Sequence, residues 1–120
     1  MKKIWIFIAL SGALAVIMGA MSAHMLKDLL AVKDITRIQT AATYQMYHTL
    51  LLAILAVYYQ YRSSQVIKQS CWLFAIGIVL FSGSLYIYTF SKVHALVFVT
   101  PVGGMLLILG WLSLIRLAKR

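Results

Sequence analysis

The chain has 120 residues, 63% hydrophobic and only 11% charged, with eleven Lys and Arg against two acids and a formal net charge of +9. Soluble domains are close to half apolar and a quarter charged. Together with a mean hydropathy of +0.94, this composition excludes a water-soluble globule, a disordered chain and a collagen-like one. The solvent is lipid, and the length predicts a single domain.

Four apolar stretches follow in order: about Ile4 to Ala23, Ala41 to Tyr59, Cys71 to Phe90 and His94 to Ile115. Each is near the roughly 20 residues a bilayer-spanning helix needs. Backbone groups in lipid must be satisfied locally, and four segments cannot close a barrel, so helices are the expected form. The first stretch follows Met1, Lys2 and Lys3 as in a signal peptide. It is longer than the 7–15 apolar residues typical of one, so retention of this helix is expected.

The connections differ. His24 to Thr40 is the longest and holds both acids, Asp28 and Asp34. Within it Met25, Leu26, Leu29, Leu30 and Ile35 can share one face of a short interfacial helix. Tyr61 to Ser70 is a polar loop, and Ser91 to Val93 a tight turn. Short connections make their helices antiparallel neighbours. The fold class expected is an all-α membrane protein, an antiparallel four-helix transmembrane bundle with an interfacial segment after the first helix.

Lys2, Lys3, Arg62, Lys68, Arg116, Lys119 and Arg120 fall on one side of the membrane; Lys27, Lys33, Arg37 and Lys92 fall on the other. Excess Lys and Arg marks the cytoplasmic face, which predicts a multi-pass protein of the cell (inner) membrane with both termini in the cytoplasm. Trp5, Trp72, Trp111, Tyr58, Tyr59 and Tyr61 lie near that side and read as an interfacial aromatic belt. A basic chain can also meet nucleic acid, but no nucleic-acid-binding module is present and the cations flank apolar stretches. Membrane lipids are the expected partner, and no nucleic acid is. Cys71 is the single cysteine and reads as a small buried hydrophobe.

Polar residues placed in lipid are the informative ones. A helix entered at Thr40 carries His48 about 12 Å down; one entered at His94 carries Thr100 about 9 Å down; Ser84 and Ser82 lie about 9 and 12 Å below Phe90. Thr40, Tyr44, Tyr47 and His48 share one face of the second helix at 100° per residue, and Gln45 lies within reach of His48. Such groups are functional candidates by default, and equally they serve as interhelical hydrogen bonds. Both readings stand at this level.

Other chemistries are weaker. His24, His48 and His94 come from three different helices without i, i+3 or i, i+4 pairing. No intramembrane carboxylate orients them, so no metal and no cofactor is expected. After Asp34 there is no acid at all, which disfavours two-carboxylate chemistry. A Ser82 or Ser84 pair with His48 lacks the third group that a nucleophile's base needs. Ser11, Ala15, Gly19 and Ala23 form a small-residue stripe, and Gly83, Gly103 and Gly104 suit close helix approach. Pro101 removes the amide that the Val97 carbonyl would accept from.

Four blocks carry a resemblance: GAMSAH (Gly19–His24), QTAATYQMYHTLLL (Gln39–Leu52), FSGSLY (Phe81–Tyr86) and TPVGG (Thr100–Gly104). In order and spacing they resemble the YgdD-like family of small membrane proteins, a domain of unknown function. The first block departs from the family's Gly-Ala-Phe-Gly-Ala-His at Met21 and Ser22. The resemblance implies four membrane helices, retention of the first, and no established activity. It singles out His24, Gln39, Thr40, Tyr44, Gln45, His48, Thr49, Ser82, Ser84, Tyr86, Thr100 and Pro101.

The function expected is that of a small membrane protein without enzymatic activity, an oligomer or an accessory subunit of a larger membrane complex. The alternative is a binder or transporter of a small molecule or ion through a polar pocket centred on His48.

Overall fold

The structure, a computed structural model, describes residues 1–119 and the side chains of 1–118. Arg120, and the side chain of Lys119, both counted above among the terminal cations, lie outside the described residues. Four helices follow in chain order: α1 Lys2–Ala23, α2 Val32–Tyr61, α3 Gln65–Ser91 and α4 Leu96–Ser113. A 3₁₀ turn, Leu114–Lys119, extends α4. All four helices are long and apolar enough to cross a membrane.

α2 begins nine residues before the apolar stretch that predicts it, since its first turns are polar but break nothing. Thr36 bonds back to the Val32 carbonyl at 3.0 Å, and Arg37 pairs with Asp34 one turn earlier at 2.6 Å. Its 30 residues span about 45 Å, against about 30 Å of hydrocarbon. The end near Asp34 and Arg37 therefore projects toward the headgroups. The segment between α1 and α2 is a run of turns over residues 24–31, not the expected interfacial helix. Leu26 folds in and is buried, whereas Met25 and Leu29 face outward.

The short connections are closed by specific bonds. The Ser64 hydroxyl caps α3 by accepting from the Val66 amide at 3.1 Å. Lys92 ends α3 in the left-handed region, φ 58°, a conformation that costs a non-glycine residue about 1–2 kcal/mol. The chain reverses over residues 92–95, and the Lys92 ammonium reaches Asp34 at 2.6 Å.

α2 and α3 form the centre. Buried residues make up 44% of the most apolar window in each, against 17% in α1 and in α4. α1 packs along α2 and only lightly on α3, while α4 packs along α3. The apolar core occupies the half of the bundle nearer the termini, around Ile4, Leu52, Leu55, Ile67, Phe74 and Leu107. Cys71 is fully buried there.

The α3–α4 seam is built on glycine. A methyl at Gly103 would stand 2.7 Å from the Leu80 carbonyl carbon, and one at Gly110 would stand 2.7 Å from the Phe74 ring. Gly77 abuts Leu107 in the same way. Gly83 faces open space rather than this seam, and so does Gly19. Of the small-residue stripe on α1, Ser11 and Ala15 are buried while Ala23 is exposed.

Candidate functional site

The polar residues of the bundle do not form one cluster. They separate into groups that tie the helices together at different places.

The first group joins α1, α2 and α3. Gln45, 3% exposed, donates through Nε2 to the Ser11 carbonyl at 2.9 Å and to Ser11 Oγ at 3.1 Å. Its Oε1 accepts the Tyr86 hydroxyl at 2.6 Å. Ser11 Oγ also meets Thr49 Oγ1 at 2.8 Å. Gln45 and Thr49 are one turn apart and face α1 together. A buried amide in hydrocarbon is tolerable only when bonded, and here both Nε2 and Oε1 are used.

The second group joins α2 to α4. His48 Nδ1 lies 2.6 Å from the Tyr44 carbonyl, and His48 Nε2 accepts the indole N–H of Trp111 at 3.0 Å. A carbonyl only accepts and an indole only donates. The pair of contacts therefore makes Nδ1 the donor and Nε2 the acceptor, with both nitrogens occupied. Phe74 and Trp111 enclose the ring, each with its centroid 5.9 Å away. Trp111, expected in the interfacial belt, has its indole N–H turned into the bundle. His48 and Gln45 stand about 60° apart around α2 and serve opposite neighbours, so the grouping expected from their spacing does not form.

The serines divide in the same way. Ser82 and Ser84 are about 200° apart on α3. Ser82 donates to the Ala41 carbonyl of α2 at 2.8 Å, while Ser84 pairs with Thr100 of α4. Neither hydroxyl is bonded to His48. A further pair, Ser70 with Ser113 at 2.6 Å, ties α3 to α4 near the other end. Among the described residues, no buried side-chain nitrogen or oxygen lacks a partner.

The remaining predicted residues stand apart. His24, Gln39 and Thr40 are exposed. Tyr44 is 44% exposed and Tyr47 61%, and with His48, Phe81, Gly104 and Trp111 they line an open cleft of about 510 Å³ between α2 and α4. A second cleft, about 270 Å³, opens between α1 and α3 over Gln45. Among the described residues, no three His, Cys, Asp or Glu side chains converge as a metal site would require.

Two features escape sequence reasoning. Ser11 reads as a small packing residue, and no pattern says that its carbonyl receives an amide from α2. Asp34 bonds both Arg37 and Lys92. A lone acid on a helix followed three residues later by Arg is a signal for the first contact; nothing local signals the second.

The chain as a whole is similar to known proteins. A family model described as protein of unknown function (DUF423) matches residues 18–104. The chain is 42% identical over 114 residues to a Haemophilus influenzae protein named UPF0382 membrane protein, covering 94% of this chain and 90% of the relative. It is 43% identical over 115 residues to a Staphylococcus epidermidis protein of the same name, covering 96% and 93%. To the UPF0382 inner membrane protein YgdD of Escherichia coli K12 it is 43% identical over 106 residues, covering 88% and 81%. No solved structure matches.

Proposed function

This chain belongs to the DUF423 family, as a membrane protein of unknown activity, and from that premise we propose that it works as a non-enzymatic subunit. It assembles with copies of itself or serves as an accessory to a larger complex of the inner membrane, with both termini in the cytoplasm. The observation that carries this reading is the commitment of the intramembrane polar groups to one another. Gln45, His48, Ser82 and Ser84 each make at least one hydrogen bond to a neighbouring helix.

The rival reading, a pocket centred on His48, has less support. A metal ligand or proton carrier needs a free ring nitrogen, and both are engaged. The same fact weighs against a Ser–His nucleophile, for which neither serine is in place.

Native mass spectrometry of the protein, extracted gently from its own membrane, tests the proposal. Masses at multiples of the full chain, or of the chain plus a second polypeptide, are expected. A monomer carrying a small-molecule mass excess that disappears in His48→Ala contradicts it.

A further inference from the structure

At the end of the bundle that carries the 24–31 turns, two cations share one carboxylate. Arg37 and Lys92 both contact Asp34 Oδ1 at 2.6 Å. Tyr88 underlies both: the Arg37 guanidinium carbon sits 4.8 Å from the ring centroid and the Lys92 ammonium 5.7 Å. The group holds two positive charges and one negative, so one positive charge is uncompensated. The Arg37 side chain is only 21% exposed. Its guanidinium has five N–H donors, more than the single bond to Asp34 engages.

Beside this group lies a pocket of about 360 Å³ lined by Arg37, Leu85, Tyr88, Val97, Thr100 and Pro101. Its vertical placement is the telling feature. Arg37 is in the projecting turns of α2 and Lys92 is in the α3–α4 turn, at headgroup level. Leu85 lies seven residues before Lys92, about 10 Å deeper along α3. The pocket therefore runs from Arg37, with Lys92 close by over the shared Tyr88 ring, into an apolar wall of Leu85, Val97 and Pro101.

We propose that this pocket binds an anionic phospholipid, with its phosphodiester on Arg37 and Lys92 and an acyl chain against Leu85, Val97 and Pro101. Charge complementarity selects the anionic headgroup, because a guanidinium pairs with two phosphate oxygens at once. The apolar wall favours a lipid over inorganic phosphate, which uses only the mouth. The proposal depends on placement in a membrane and not on the subunit reading above.

The test is native mass spectrometry of the full chain in detergent, titrated with dioleoyl phosphatidylglycerol, dioleoyl phosphatidylcholine or inorganic phosphate. Thermal unfolding confirms that each variant is folded. The expected result is at least a tenfold preference for phosphatidylglycerol over phosphatidylcholine. It falls to parity in Arg37→Gln, and in Leu85→Trp, which fills the pocket while leaving every charge in place. Lys68→Gln, at the opposite end, keeps the preference. Equal retention of both lipids by the unaltered chain overturns the proposal. So does an undiminished preference in folded Leu85→Trp. Displacement of the lipid by millimolar phosphate also overturns it, and assigns the cations to a free anion instead.

Discussion

The Tyr86 hydroxyl of α3 donates to Gln45 Oε1 of α2 at 2.6 Å, while the nitrogen of the same amide holds the Ser11 carbonyl of α1. One side chain thus fastens three helices at mid-bundle. Interhelical hydrogen bonds in membranes average about 0.6 kcal/mol and reach about 1.7. Tyr86→Phe is expected to lower unfolding stability in detergent by an amount in that range. Gln45→Leu removes every contact of the amide and is expected to cost more. Adding Tyr86→Phe to Gln45→Leu is expected to cost little further, because the shared bond is already gone. Additive losses, read from denaturant titrations, contradict the shared bond.

Two glycines of the α3–α4 seam and one outside it give a graded series. At Gly103 an added methyl meets backbone of α3, at Gly110 it meets the Phe74 ring, and at Gly83 it meets nothing. Overpacking costs typically about 1–3 kcal/mol, and most where the obstacle cannot move. Gly103→Ala is expected to lower the Tm furthest, Gly110→Ala less, and Gly83→Ala not at all. Thermal melts of the three variants in one detergent check the order.

The sequence makes the four spans legible because hydropathy reports burial in lipid directly, and α1 and α4 lie close to where it puts them. α3 starts at Gln65, six residues before its apolar stretch and inside the segment read as a polar loop. α2 is longer than its apolar stretch because Val32–Thr40 is polar yet helix-compatible, and hydropathy cannot tell a projecting helical turn from a loop. The candidate site is legible only as an inventory. Periodicity puts Gln45 and His48 near each other on one helix; it does not say that one turns to Ser11 and the other to Trp111. Those partners are 34 and 63 residues distant in sequence, and pairing at that range is set by how helices pack. Ser11 and Trp111 therefore read as packing and as interfacial belt, although both are fasteners.

The orientation expected from the cation count is tested at two exposed positions. Ser63 precedes the α3 cap, and His94 lies in the turn before α4; both are exposed. In a Cys71→Ala background, Ser63→Cys is expected to resist a membrane-impermeant thiol reagent added to intact cells, and His94→Cys to react. The reverse pattern places the termini outside.

The Asp34 carboxylate ties the start of α2 to the α3–α4 turn through Lys92. Asp34→Asn removes the charge that holds the Lys92 ammonium. Faster hydrogen exchange is expected at the Lys92 amide, which bonds the Tyr88 carbonyl at 2.8 Å. Amides in the middle of α3 are expected to be unaffected. Unchanged exchange at Lys92 means the turn holds without the ion pair.

The most direct test of the account is a double-mutant cycle on His48 and Trp111, with His48→Ala, Trp111→Phe and the pair, read by unfolding in detergent. If His48 is a structural fastener, each single change destabilises. The coupling between them is then expected to fall at about 0.6–1.7 kcal/mol. A His48→Ala protein that keeps its full stability but loses a bound ion or small molecule contradicts the account and makes His48 a ligand.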